Sequence, residues 1–213
     1  MTPLAFRDGL ASRLAEAKLS LTSNQIELLG EYWRLLERWN SRINLTSIPL
    51  EGSPSHSIDR LIVEPLMAAL LIPQPPVTWF DLGSGGGSPA VPLKVVNPAA
   101  SLTMVESRSR KGAFLREVVR SLGLAVTDVA IGRFEDVALR QASAADCITV
   151  RAVRADKALF DSALRLLRPT GRMILFETAD QERNLEGFNL INSLSVPATG
   201  SVIRVVVPRG TKD

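Results

Sequence analysis

A doubly wound α/β fold is the class this sequence predicts: a mostly parallel sheet with an antiparallel strand near its C-terminus, preceded by a small helical region. Three observations carry that expectation. Short runs of strand formers alternate with segments of helical periodicity through most of the chain, the pattern of a sheet covered on both faces. The first such run leads straight into a glycine-rich turn, Gly83-Ser84-Gly85-Gly86-Gly87, and a helix start. The last two runs, residues 190–196 and 201–207, are separated by Pro197-Ala198-Thr199-Gly200 and read as an antiparallel pair.

In chain order, residues 4–17 and 25–39 carry apolar side chains at helical spacing, the second as Ile26, Leu29, Tyr32, Trp33, Leu36 and Trp39. Thr22 followed by Gln25 has the form of a capping box that starts this second helix. The aromatic stripe Tyr32, Trp33 and Trp39 invites a base-stacking reading, but burial on one helix face accounts for it without a ligand. Polar residues break the period after Trp39, and 49–54 reads as a loop. Residues 58–71 return to helical spacing around Pro65, whose ring and missing N–H imply a kink or a later start. Pro73-Gln74-Pro75-Pro76 then divides the chain into a helical N-terminal region, 1–73, and a nucleotide-binding region, 74–213.

Within the second region, residues 77–80 form the first strand, and Pro92 suits the first turn of a helix that Asn97-Pro98 ends. Residues 102–106 are the second strand, closed by Glu106. Residues 111–123 are an amphipathic helix with Phe114, Leu115, Val118, Val119 and Leu122 inward. A third strand, 126–131, delivers Arg133-Phe134-Glu135, and a fourth, 146–150, delivers Arg151. Helix 157–167 and strand 172–176 follow, and no internal repeat or low-complexity segment interrupts them.

The glycine loop carries the chemistry. Glycines at 83, 85 and 87 let the backbone turn tightly and lie against a ligand, with N–H groups of the coming helix facing it. Asp81, just before the loop, would repel a pyrophosphate, so the arrangement favours a ligand with a cationic amino group. Asp81, Gly83, Gly85 and Gly87 have the spacing of Rossmann-like S-adenosylmethionine (SAM) methyltransferases, with the carboxylate near the methionine end. Gly85-x-Gly87-x-x-Ala90 also satisfies the dinucleotide pattern, and a purely structural glycine turn is a third reading. Glu106, 19 residues after Gly87, falls where an acidic side chain grips ribose hydroxyls, against the plainer reading of a solvated strand-end glutamate. Phe134 and Glu135 offer a ring and a carboxylate for an adenine.

Composition bounds the partners. The 213 residues are 46% hydrophobic, with 25 Lys and Arg against 22 Asp and Glu and a net charge of +3. Basic groups at Arg108, Arg110 and Lys111, at Arg151, Arg154 and Lys157, and at Arg204, Arg209 and Lys212 offer a basic face toward nucleic acid; the plain alternative is a solvated surface. The one cysteine, Cys147, excludes an intrachain disulfide and reads as a buried, inert thiol, and the one histidine, His56, cannot build a multi-histidine site, so no metal is expected. The N-terminus lacks the order of a signal peptide, and the apolar stretch 61–72 is broken by Glu64 and Pro65, so a cytoplasmic protein without a membrane span is expected.

Several separated motifs then agree: Trp39-Asn40 with Ile43-Asn44-Leu45-Thr46-Ser47-Ile48, His56 with Asp59 and Leu61, Asp81-Leu82-Gly83-Ser84-Gly85-x-Gly87-x-Pro89, Val105-Glu106-Ser107, Lys111 with Phe114-Leu115, Arg133-x-Glu135, and Arg151-Ala152-Val153. In that order and spacing the chain resembles the GidB/RsmG family, bacterial methyltransferases that use SAM to methylate N7 of a guanine in small-subunit (16S) ribosomal RNA. The resemblance implies SAM as cofactor, held at Gly83, Ser88, Phe134, Glu135 and Arg151 with Glu106 on the ribose. It implies ribosomal RNA or the small ribosomal subunit as partner, with Arg108, Arg110, Lys111, Arg154 and Lys157 as RNA-binding candidates, and a monomer is expected. Guanine N7 needs no deprotonation, so no general base is assigned, and Arg151 stands as a positioning candidate.

The chain departs from the family's pattern at Ser88, where a bulky apolar residue is usual, and at Ala90, where a glycine is. Ser55 replaces an arginine, Arg60 a serine, and Glu177-Thr178 a Lys-Gly pair. Glu177 near an RNA surface would repel phosphate. These departures keep two alternatives open: a SAM methyltransferase acting on another RNA or a small molecule, and a SAM-binding protein without catalysis.

Overall fold

The computed structural model describes residues 2–50, 54–75, 77–154, 156–178 and 185–210; part of the 49–54 loop, Pro76 and Lys212 lie outside them. The chain opens with helices α1 (Pro3–Glu16) and α2 (Ser23–Asn40). Helix α2 starts on the capping box: the Gln25 N–H donates to Thr22 Oγ1 at 3.3 Å, and the Thr22 N–H donates to Gln25 Oε1 at 2.9 Å. Leu29, Tyr32, Trp33, Leu35 and Leu36 form its buried face. Tyr32 and Trp33 of the aromatic stripe are buried packing surface, while half-buried Trp39 meets Phe114 edge-on with ring centroids 5.9 Å apart and keeps part of its surface exposed.

Residues 54–71 are helical, but not as one α-helix. Helix α3 (Pro54–Ile58) runs into a π-helical turn, Asp59–Val63, followed by α4 (Glu64–Met67) and a 3-10 turn, Ala69–Leu71. Pro65 has no N–H to offer the Leu61 carbonyl, and the wide turn sends the Glu64 N–H to the Asp59 carbonyl instead of that of Arg60. Where the sequence implied a kink or a later start at Pro65, the chain widens by one residue just before it and α4 starts with Pro65 in its first turn. Arg60 and Leu61 are thereby left with carbonyls that side chains can use.

The strand runs assemble into one seven-stranded sheet: β1 (Thr78–Leu82), β2 (Ser101–Glu106), β3 (Thr127–Ile131), β4 (Ala145–Arg151), β5 (Leu167–Thr178), β6 (Phe188–Val196) and β7 (Ser201–Pro208), in the order β3-β2-β1-β4-β5-β7-β6. Strand β7 runs antiparallel to β5 and to β6, and the pairings among β1 to β5 are parallel. Parallel neighbours need crossovers, supplied by α5 (Ala90–Val96), α6 (Ser109–Leu122), α7 (Phe134–Arg140) and α8 (Lys157–Leu166).

Alternation along the strands separates two layers. Trp79, Cys147, Ile174, Phe176 and Ile203 join a core shared with α1, α2, the 54–71 stretch, α5 and α6. Phe80, Leu82, Ile148, Val150, Met173 and Leu175 face the opposite layer, covered by α7 and α8. The helices that follow β1 and β4 therefore leave toward opposite faces. Chain order reverses between these two neighbours, and their carboxyl ends diverge around a crevice, the place where open α/β sheets bind ligands.

Candidate active site

A cavity of about 740 Å³ opens at that crevice. The loop from Gly83 to Gly86 and Ser88 line one side; Glu106, Arg108 and Lys111 approach from the β2 end. Phe134 and Glu135 approach from the start of α7, Arg60 and Leu61 from the π turn, and Arg151 and Ala152 from the tip of β4. The segment 44–48 supplies the rim. Of the residues expected to hold a cofactor, Gly83, Gly85, Ser88, Glu106, Phe134, Glu135 and Arg151 line this space, whereas Asp81 and Gly87 stand behind it.

The loop's shape follows from its glycines and from Glu106. Gly83 has φ +76°, and a Cβ there would collide with Val153 Cγ2, so the turn admits no side chain at that point. The Gly85 N–H donates to Glu106 Oε2 at 2.9 Å, while Glu106 Oε1 accepts from the Arg108 N–H at 2.8 Å. One strand-end carboxylate thus ties the glycine loop to the start of α6. From the other side, Tyr32 Oη donates to the Gly86 carbonyl at 2.7 Å, fixing the loop to α2. Gly87 packs toward Tyr32, Val91 and Leu115 and serves that contact. In the cavity lining, Arg133 hydrogen-bonds Glu135 at 3.1 Å and holds its carboxyl below the usual range.

Asp81 lies inside β1, because the strand continues to Leu82, beyond the predicted 77–80 run. Its Oδ1 accepts from Thr149 Oγ1 at 2.5 Å, and that hydroxyl accepts from Trp79 Nε1 at 2.9 Å. Buried Oδ2 meets no hydrogen-bond partner among the described residues. Burial pushes the Asp81 carboxyl up to about 6, against the opposing pull of its hydrogen bonds. The protonated form therefore favours the fold: this contribution is complete below about pH 4, the unfolded value, and is lost as pH rises through about 6. The slope is about 1.4 kcal/mol per pH unit across that window. Asp81→Asn is expected to flatten it in urea unfolding measured from pH 4 to 7.5, and a mutant profile parallel to the wild type would show that Asp81 does not titrate there.

Arg151 is the most heavily partnered group at the cavity. Its Nη2 meets Glu64 Oε1 at 2.7 Å, and its Nη1 donates to Ser88 Oγ at 2.9 Å and to the Arg60 carbonyl. The guanidinium lies 4.6 Å from the Phe176 ring centroid. Burial lowers its pKa to about 10, which leaves it charged at neutral pH. Glu64 is 0% exposed, and its Oε2 accepts from Arg60 Nη1 at 2.7 Å, Thr199 Oγ1 at 2.9 Å and Ser201 Oγ at 2.6 Å. Ser88 Oγ in turn donates to the Leu61 carbonyl at 2.8 Å. The carbonyls set free by the π turn and Pro65 are thus the ones that receive Arg151 and Ser88.

A family model described as rRNA small subunit methyltransferase G, GidB, matches residues 25–201. The chain belongs to this family. It is similar to the ribosomal RNA small subunit methyltransferase G of Polynucleobacter asymbioticus, 37% identical over 177 residues, covering 81% of this chain and 79% of that protein. The Streptococcus pyogenes protein of the same name is 33% identical over 175 residues, covering 79% and 73%. Among solved structures, a SAM-dependent methyltransferase from Aquifex aeolicus superposes with a TM-score of 0.56 at 16% identity, covering 71% of this chain and 92% of the other. MtNAS in complex with MTA and tNA gives 0.61 at 16% identity, covering 85% and 72%. At such identities these structures speak for the fold, a Rossmann-like methyltransferase sheet with its antiparallel penultimate strand.

As a GidB family member, the chain places its departures in physical context. Ser88 and Arg60 belong to one network around Arg151, with Glu64 between the two arginines. The sequence reading missed Glu64, although a glutamate inside an apolar helical run, next to a proline, was the available signal. Glu177 is buried and ion-paired with Arg204 on β7, so its charge is balanced within the sheet. Ser55 and His56 are exposed on α3. Cys147 is fully buried, and burial pushes its thiol up to about 12. Among the described residues no helix is long and apolar enough to cross a membrane, and no group of three or more His, Cys, Asp or Glu is placed to hold a metal.

The basic candidates separate. Arg108 and Lys111 line the cavity, and Arg110 lines a second groove with Arg38 and Arg42. Arg154 stands 3.8 Å from Asp156, and Lys157 is held by Asp161 at 2.8 Å.

Proposed function

We propose that this chain is a cytoplasmic, monomeric enzyme that transfers a methyl group from SAM to N7 of a guanine in small-subunit ribosomal RNA, using the 74–213 region to hold SAM and the 1–73 region to complete the site. The observation that carries the reading is the glycine loop clamped by Glu106 at the β1/β4 crevice, in a chain of this family. A cavity of about 740 Å³ falls within the usual range of small-molecule sites, about 300–1,000 Å³.

The residues present suit SAM. Glu106 takes the ribose hydroxyls: each carboxylate oxygen accepts one backbone N–H and keeps further acceptor capacity. Phe134 and Glu135 take the adenine. The Asp81 carboxylate, buried behind the loop with Oδ2 unpartnered among the described residues, places a negative charge beneath the methionine end and favours its cationic amino group through the loop rather than by lining the cavity, and Gly83, Gly85 and Gly87 shape that loop. Arg151 takes the methionine carboxylate or the guanine, its orientation set by Glu64, Ser88 and Arg60. On this reading Ser88 trades apolar packing against the cofactor for a hydrogen bond that orients Arg151.

SAM supplies a methyl group on a cationic sulfur. Guanine N7 presents an in-plane lone pair with no proton to remove, so the chain has to align two partners and exclude water, and alignment alone accounts for several kcal/mol of such barriers. The cavity fits this demand. Its described lining residues include neither the cysteine that cytosine C5 chemistry requires nor a histidine base, and β4 ends in Arg151-Ala152-Val153 where an Asn- or Asp-Pro-Pro motif would serve an exocyclic amine.

Thermal denaturation and titration calorimetry with SAM, its demethylated product and NAD test the cofactor. SAM and its product are expected to raise the melting point, by the equivalent of about 2.7 kcal/mol at a hundredfold excess over Kd, and NAD to leave it unchanged. Stabilisation by NAD alone would end the reading.

A further inference from the structure

A second concavity lies beside the first. Its volume is about 510 Å³, and it sits between the end of α2 and the start of α6. Half-buried Trp39 and Ile43 line it with Ala113, and Arg38, Arg42 and Arg110 surround them. Among the described residues lining it there is no carboxylate. Arg42 and Arg110 are exposed. Arg38 stands 3.9 Å from Glu117, whose carboxylate Arg120 holds at 2.9 Å. Three guanidinium groups therefore gather around an apolar patch with little local compensation.

The groove adjoins the cavity. Ile43 lines the groove and Asn44 the cavity; Arg110 lines the groove, and its neighbour Lys111 lines the cavity with Arg108. Two pairs of consecutive residues thus form the divide between them. A basic track leads from the methyl-transfer site across the start of α6 to the end of α2. The start of α8 differs, since Arg154 and Lys157 each face an aspartate on their own segment.

We propose that this groove docks the RNA strand adjoining the target guanine, an inference that rests on the reading of the chain as an RNA methyltransferase. The guanidinium groups of Arg38, Arg42 and Arg110 contact phosphates, for which their planar forks are suited, and the Trp39–Ile43 surface packs against an unstacked base or ribose. Such contacts set the register of the RNA, while the cavity selects the base.

The test replaces Arg38, Arg42 and Arg110 together by alanine and compares this variant with a control that removes equal charge elsewhere, Arg7→Ala with Arg140→Ala and Arg165→Ala. Fluorescence anisotropy and methyl transfer are measured with naked small-subunit ribosomal RNA and with assembled, unmethylated subunits. The groove variant is expected to raise the RNA Kd and KM about tenfold or more and to make the slope of log K against log salt shallower by about 2, three phosphate contacts at about 0.7 each. SAM affinity, melting point and kcat at saturating RNA should match the wild type. A groove variant indistinguishable from the control overturns the proposal. Loss of binding to assembled subunits but not to naked RNA would identify a protein partner and overturn it equally. If the wild type neither binds nor methylates RNA, the RNA reading falls and takes the groove with it; an active wild type with an equally active groove variant removes the groove alone.

Discussion

Glu64→Ala is expected to be the most destabilising single change at the site. It removes the carboxylate that neutralises both Arg60 and Arg151 and leaves Thr199 and Ser201 without their shared acceptor. The Arg151 side chain is 8% exposed, so the stranded guanidinium stays largely desolvated. Breaking a buried ion pair from one side typically costs about 3–5 kcal/mol, mostly as the penalty of the stranded charge. For a chain of this size that is a fall in melting point on the order of 10 °C. Glu64→Gln keeps an acceptor for the hydroxyls and should lose less, while losing the ion pairs. Urea unfolding measures both, and an alanine variant within about 0.5 kcal/mol of the wild type would show that Glu64 does not hold the two arginines together.

Arg151→Ala is expected to act in the opposite sense: a large loss of activity with a smaller loss of stability. Glu64 then keeps Arg60, Thr199 and Ser201, so no buried carboxylate is stranded. The cavity, however, loses the cation at the tip of β4. If Arg151 positions the reactants, kcat/KM should fall at least about 100-fold, the scale of losing one aligned charged contact at a reacting centre. Arg151→Lys should recover little of this, because an ammonium cannot reach Glu64, Ser88 and the Arg60 carbonyl with the geometry of a planar fork. Steady-state kinetics beside circular dichroism decide the matter: full activity in the alanine variant would take Arg151 out of the reaction.

These two residues also mark where sequence stops being informative. The alternating strands, the α2 capping box and the glycine loop were legible because each depends on residues within a few positions of one another. Gly83, Gly85 and Glu106 were legible for a related reason, since a strand, a turn and the next strand end recur at near-constant separation. The Arg151 network has no such local signature. Its members come from positions 60, 64, 88, 151, 199 and 201, and a π turn brings the first two into place. Read one at a time, Ser88 and Arg60 looked like losses from the family's pattern, and Glu64 looked like an interruption of an apolar run.

Glu177 makes the same point about register. At the end of a strand it suggested a negative surface facing RNA, but antiparallel pairing sets Val202 opposite Glu177 and Arg204 two residues along, opposite Leu175 and on the same face. That ion pair depends on which residues of β5 and β7 stand side by side, which strand propensity does not specify. Helix α7 was missed because seven residues are too few to display a helical period. Ala152, at the tip of β4, has φ +55°, an unusual backbone for a residue with a Cβ, and nothing in its own side chain announces it.

The most direct test of the proposed reaction is methyl transfer from labelled SAM to small ribosomal subunits that lack the modification, followed by nuclease digestion and mass spectrometry of the nucleosides. One 7-methylguanosine per subunit, absent when Arg151→Ala replaces the wild type, is the expected result. A methyl group on another atom or another base, or no transfer from an enzyme that binds SAM, would contradict it.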